Sequence, residues 1–169
     1  MRHSPLYLVM GVCGSGKSLI GALLARALGL EFVEGDVYHS PENVARMSAG
    51  IPLTDEDRQA WLAAIATRLD EARRAGLGLV VSCSALKRSY RDVLRAGSSD
   101  VQVVYLEGTH ALLEQRLAGR RGHFMPSSLL DSQFAILEPP APDEHAWVTD
   151  IAEPPEVIVA RLVARSLSR

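Results

Sequence analysis

Residues 6–28 read Leu6-Tyr7-Leu8-Val9-Met10, then Gly11-Val12-Cys13-Gly14-Ser15-Gly16-Lys17-Ser18, then Leu19-Ile20-Gly21-Ala22-Leu23-Leu24-Ala25-Arg26-Ala27-Leu28. The first segment is an apolar run of strand length, and the last has helical periodicity. Between them stands Gly-x4-Gly-Lys-Ser in the strand–loop–helix context it needs. The glycines let consecutive backbone N–H groups turn inward around a polyphosphate, where a Cβ would intrude. The helix behind adds the positive end of its dipole. Lys17 has the reach for β- and γ-phosphates, and the Ser18 hydroxyl suits Mg²⁺. Gly11, Val12, Cys13, Gly14, Ser15, Gly16, Lys17 and Ser18 are therefore the expected contacts of a nucleoside triphosphate, with Lys17 also acting in catalysis. A glycine-rich turn with no ligand is the plain alternative, and the flanking strand and helix argue against it.

Outward from this loop, apolar strand-like runs alternate with helical patterns. Strands are expected at 6–10, 31–34, 77–83, 101–106 and 146–150. Helices are expected at 17–28, 41–47, 55–75, 87–95, 109–118, 127–137 and 155–166. Alternation of this kind predicts an α/β fold, a parallel sheet with helices on both faces and ligands at the carboxyl ends of the strands. Ser40 before Pro41, and Thr54 with Asp57 three residues on, read as helix caps. The 138–142 stretch, Glu-Pro-Pro-Ala-Pro, reads as a helix stop and connecting loop.

The totals bound the function. A chain of 169 residues, 47% hydrophobic and 22% charged, is expected to form one globular domain over 1–169. A net charge of −2 gives no bulk attraction to nucleic acid or membrane. No apolar stretch approaches the roughly 20 residues of a membrane span. The short apolar run after Arg2 leads straight into the phosphate loop, so no signal peptide is expected. Two cysteines make no disulfide framework, and a reducing cytoplasm is the expected compartment.

The acceptor side is read from three further segments. Gly35-Asp36-Val37-Tyr38-His39 closes the second strand, where Asp36 either takes the proton of an attacking hydroxyl or orients it, or is an ordinary surface acid at a strand end. Glu34 either holds a water on Mg²⁺ or is an ordinary strand-end acid. Arg46 and Arg58 are candidate anion binders; the competing role for Arg58 is an i,i+3 pair with Asp55 on a helix surface. Trp61 reads as core. Arg116 and Arg120 share a helix face ahead of Arg121-Gly122-His123-Phe124-Met125-Pro126. They read either as lid arginines that neutralise a transferring phosphoryl group or as a solvated basic helix end. Cys13, in the phosphate loop after the first strand, and Cys83, at the end of the third, read foremost as small residues filling space.

With these segments in hand, the chain resembles the bacterial-type gluconate kinases from about Leu6 through Pro139. The resemblance rests on the phosphate loop, on Gly35-Asp36 with His39, and on Met47-x2-Gly50-x-Pro52-Leu53-x-Asp55-x-Asp57-Arg58-x2-Trp61-Leu62. It is strongest in Cys83-Ser84-Ala85-Leu86-Lys87-x2-Tyr90-Arg91-Asp92, in Arg116-x3-Arg120-x2-His123-Phe124, and continues in Leu130-x2-Gln133-Phe134-x2-Leu137-Glu138. It implies a P-loop kinase fold like that of shikimate and nucleoside monophosphate kinases, with a five-stranded parallel sheet in the order 2-3-1-4-5. It also implies a substrate-binding helical segment over about 40–75 and a lid over about 116–126. Implied further are ATP, Mg²⁺ held through Ser18 and Glu34, and gluconate held by Asp36, His39, Arg46, Arg58, Lys87 and His123. Lys17, Asp36 and Arg120 would be catalytic, Arg116 and Arg120 would add to the ATP site, and the family suggests a homodimer. The chain departs from the pattern at Cys13 (often Ser), Ser40 (usually Pro), Ala60 (Pro) and Arg46 (commonly Lys). A shikimate-type kinase is the nearest competing enzyme, but Ser82-Cys83-Ser84-Ala85 stands where that family has three glycines. A nucleoside monophosphate kinase, or a nucleotide-binding regulator with no acceptor, would also carry such a phosphate loop.

Overall fold

β1 (Leu6–Met10) is the centre of the molecule, and its burial shows why it is wholly apolar. Its five side chains are at most 2% exposed, as a strand covered on both faces requires. The structure, a computed structural model, describes residues 4–96, 99–119 and 127–169. In chain order the remaining elements are α1 (Lys17–Leu28), β2 (Glu31–Glu34), α2 (Pro41–Ser48), α3 (Asp55–Ala75), β3 (Leu79–Ser82) and α4 (Arg88–Arg95). Then come β4 (Val101–Glu107), α5 (His110–Ala118), α6 (Ser127–Ile136), β5 (Trp147–Asp150) and α7 (Pro155–Leu167).

All pairings are parallel and the order is β2-β3-β1-β4-β5, as the resemblance implies. Burial follows that order. β5, at an edge, alternates buried Trp147 and Thr149 with exposed Val148 and Asp150. α1 packs against α7 and α3 against α4. The register sets Val9 beside Ser82, and Ser82 beside Glu34. The carboxyl ends of β1, β3 and β2 therefore finish level, and the loops that follow them share one side of the sheet.

Both expected caps form. The Ser40 hydroxyl accepts the Asn43 N–H at 3.1 Å. Thr54 and Asp57 make a reciprocal capping box at 3.1 and 2.9 Å. The third strand is shorter than the expected 77–83. Gly76 ends α3 in the left-handed region (φ 69°), and the Leu77 N–H bonds back to Ala72 at 2.9 Å, so those residues belong to the helix exit. Two one-turn 3-10 segments fall where no helix is expected: Gly35–Tyr38 after β2, and Pro142–Glu144 inside the proline-rich loop.

A buried ion pair joins α4 to that second turn. Arg91, fully buried, meets Glu144, 3% exposed, through Nε–Oε1 at 2.7 Å and Nη2–Oε2 at 3.0 Å. Its remaining Nη1 donates to the Ala85 carbonyl at 2.9 Å, where the chain turns at φ 46°. The guanidinium thus shapes the loop leaving β3, which lines the site.

Candidate active site

The phosphate loop is built as a cradle. Gly16 stands at the N-terminus of α1 with φ 92°, and a Cβ placed there would meet no atom within 4 Å. The space is open and the backbone conformation is one that glycine tolerates. Among the described residues no side chain caps α1 and no acid sits in its first turn, so the positive helix end is left for an anion. Lys17 donates to the Val12 carbonyl at 3.0 Å. Burial lowers its pKa from the usual lysine value, against the opposing pull of Asp36, Cys13, Cys83 and Glu34. A cation poorly solvated by water beside open backbone is a fit partner for a polyphosphate.

The loop opens into a cleft of about 520 Å³. Its walls include Cys13, Gly14, Gly16, Lys17 and Ser18 from the loop, Glu34 at the end of β2, Asp36 and His39 just beyond it, and Arg58 and Trp61 from α3. Gly11, Val12 and Ser15, in the same loop, are buried and lie outside the cleft lining. Most of the expected site residues are thus brought to one cavity by three separate elements.

Asp36 owes its place to Gly35 and Trp61. A Cβ on Gly35 would stand 2.1 Å from the Ser82 carbonyl oxygen, so only glycine lets β2 end this close to β3. The Trp61 indole donates to the Gly35 carbonyl at 2.9 Å, and its ring stacks on His39 with centroids 4.1 Å apart. Trp61 is core, as read from sequence, and also a wall of the site. Burial lowers the His39 pKa, with Arg58 adding to the effect and Asp36 opposing it, which favours a neutral imidazole. Glu34 is not a loose strand-end acid: its Oε1 accepts the Ser82 hydroxyl at 2.8 Å.

Arg58 does not pair directly with Asp55. Its Nη1 donates to the Leu53 carbonyl at 2.7 Å and to the Tyr90 hydroxyl at 3.1 Å, and the guanidinium stands 5.5 Å from the Tyr90 ring centroid. The Tyr90 hydroxyl in turn donates to Asp55. Asp55 also accepts from Lys87 at 3.0 Å. The Tyr90 and Lys87 hydrogen bonds hold the Asp55 carboxyl below its usual range. Burial, with the Asp55 hydrogen bond, pushes the Tyr90 hydroxyl up to about 12. Tyr90 stays protonated and keeps Arg58 in place.

Three expected site residues are engaged elsewhere. Arg46 meets Asp57 at 3.0 Å, Lys87 meets Asp55, and Arg116 donates to the Ile151 carbonyl beyond β5. Arg120 and His123, and with them residues 120–126 of the lid expected over about 116–126, lie outside the described residues. Cys13 and Cys83 are buried, and burial pushes the Cys83 thiol up to about 12, as befits a space-filling residue. Sequence reasoning missed roles for Tyr90 and Gln133. Gln133 comes from α6, lines the cleft and accepts the Cys13 N–H. Both stand in motifs that carry the resemblance, but nothing in their spacing tells where a helix face points in space.

A parallel 2-3-1-4-5 sheet, a phosphate loop after β1, and an acid and an arginine facing it across one cleft define a P-loop kinase. The AAA domain family model matches residues 6–140. The chain is 46% identical over 164 residues to the gluconokinase of Gluconobacter oxydans, covering 96% of this chain and 92% of that protein. It is 39% identical over 159 residues to the thermoresistant gluconokinase of Escherichia coli, covering 94% and 91%. The crystal structure of a gluconokinase from Sinorhizobium meliloti superposes with a TM-score of 0.85 at 47% identity, covering 99% and 98%. The chain belongs to the gluconokinase family, within the AAA domain family, and is an enzyme with kinase activity.

Proposed function

We propose that this protein transfers the γ-phosphoryl group of ATP to the primary hydroxyl of D-gluconate, giving 6-phospho-D-gluconate. One observation carries the reading: a single cleft joins the phosphate loop to Asp36 and to a guanidinium, Arg58, braced by Leu53 and Tyr90. ATP lies along the loop from Gly11 to Ser18. Gluconate lies toward Arg58, whose fork suits a carboxylate. His39 and Asp36 take its hydroxyls, and Asp36 accepts the proton of the attacking one. Lys17 offsets charge that develops on the transferring group. Among the described residues no group of three His, Cys, Asp or Glu could hold a metal. Ser18 and a water on Glu34 suffice for Mg²⁺, a cation that keeps several waters and, when bound, neutralises phosphate charge. Arg120 is assigned to the ATP side and His123 to the acceptor, whereas Arg46, Lys87 and Arg116 reach the ligands only by leaving Asp57, Asp55 and the Ile151 carbonyl.

No helix among the described residues is long and apolar enough to cross a membrane. A cytoplasmic homodimer, with no nucleic-acid partner, fits the composition and the family. The test is a coupled assay of ATP turnover against a panel of sugar acids. Turnover that needs gluconate and falls with its epimers is the expected result. Equal turnover without an acceptor, or a clear preference for shikimate, would sink the assignment.

A further inference from the structure

The phosphate loop is held from above by two neighbouring helices. From α6, the Gln133 Oε1 accepts the Cys13 backbone N–H at 2.7 Å, across 120 residues of sequence. From α5, Leu117 lies so close that a Cβ on Gly14 would meet its Cδ2 at 3.1 Å. The helices are tied together by His110, whose Nε2 stands 2.6 Å from Asp131 and whose ring centroid lies 5.3 Å from that of Phe134. Gln133 is therefore delivered to the loop by a braced pair of helices.

The chemistry of that contact orients the amide. A backbone N–H can only donate, so the atom facing Cys13 must be Oε1, and Nε2 with its two protons is the other end. Gln133 is half-buried and lines the same cleft as Lys17 and Asp36. Cys13 and Asp36 both lie close enough to Lys17 to act on its charge, so the three form one neighbourhood. Lys17 in such a loop serves the β- and γ-phosphates.

We propose that Gln133 reads the terminal phosphate of the nucleotide: Oε1 braces the loop at Cys13 while Nε2 donates to oxygens of the γ-phosphoryl group. This rests on the reading that a nucleoside triphosphate occupies the loop. It gives α6 a direct means of telling ATP from ADP, in addition to the loop's own amides.

Two variants separate a sensor from a brace. Gln133→Glu keeps the acceptor for Cys13 but replaces the donor with a negative charge; Gln133→Leu removes both. Affinities for Mg·ADP and for the β,γ-imido analogue of ATP are measured by calorimetry on the purified chain. Gln133→Glu is expected to bind the imido analogue at least about tenfold more weakly, as loss of a hydrogen bond to a charged group implies. Its ADP affinity should fall by at least about fivefold less than its affinity for the imido analogue, and ADP binding also certifies folding should Gln133→Leu fail to fold. Unchanged affinity of Gln133→Glu for the imido analogue overturns the proposal. So does a parallel loss of both nucleotides, which marks Gln133 as a brace alone. An unsubstituted chain that binds neither nucleotide overturns the phosphate-loop reading itself, a result distinguishable from the other two.

Discussion

Among single residues, charge and its support divide the work. Lys17 opens α1 at the phosphate loop, where its desolvated ammonium only donates to the Val12 carbonyl, so Lys17→Ala is expected to cut turnover by roughly 10²- to 10³-fold or more while leaving the melting temperature nearly unchanged. Near-normal turnover at saturating ATP would remove Lys17 from the mechanism. Arg58→Ala should raise the KM for gluconate by about 10- to 100-fold and spare that for ATP, since it deletes a charged hydrogen-bonding partner at the acceptor end alone. Tyr90→Phe tests the support beneath it. The change removes one hydroxyl that accepts from Arg58 and donates to Asp55, and keeps the ring. A rise of about 2- to 10-fold in the gluconate KM is expected, again with ATP unaffected. Steady-state kinetics with each substrate varied in turn reads both. Arg58 is a candidate anion binder by its residue type. Its anchor was not legible, because the near neighbour in sequence, Asp55, is reached only through a tyrosine from another helix.

Between elements, two long-range contacts hold the site's walls. Trp61 of α3 fixes the turn carrying Asp36. Arg91 of α4 fixes the loop after β3 through Ala85 and pairs with Glu144. Arg91→Ala strands a buried carboxylate and is expected to cost about 3–5 kcal/mol in chemical denaturation. A loss under about 1 kcal/mol would mean that water relieves Glu144. By contrast, the helix ends were readable in advance: Ser40 and the Thr54–Asp57 box depend on residues three positions apart. The α4 start differs. Its first N–H, that of Arg88, is accepted by Glu138 at 2.8 Å, from a residue 50 positions away.

For the molecule as a whole, acid sensitivity follows from the same pair. Burial pushes the Glu144 carboxyl up, but the hydrogen bonds from Arg91 and Ala141 outweigh it and leave the group below its usual 4.5. A depressed carboxylate adds stability that is present above its unfolded pKa and lost as pH falls through the folded one. Stability should therefore drop below about pH 4.5, and Glu144→Gln should flatten that limb in denaturant titrations at several pH values. An identical acid limb in the variant would assign the loss to other carboxylates. The phosphate loop, the alternation of strands and helices, the caps and the placing of Glu34 and Asp36 at the end of β2 were all legible in the amino-acid order, because each depends on backbone conformation and periodicity within a few residues. Periodicity establishes alternation but no strand order; the 2-3-1-4-5 arrangement rested on the family resemblance. Which side chains from distant elements meet was settled by packing in three dimensions: Gln133 on Cys13, Tyr90 under Arg58, Trp61 on Gly35, Arg91 on Glu144. Those contacts depend on how helices pack across the sheet and where their faces point, and no spacing along one chain encodes the direction of a side chain in space.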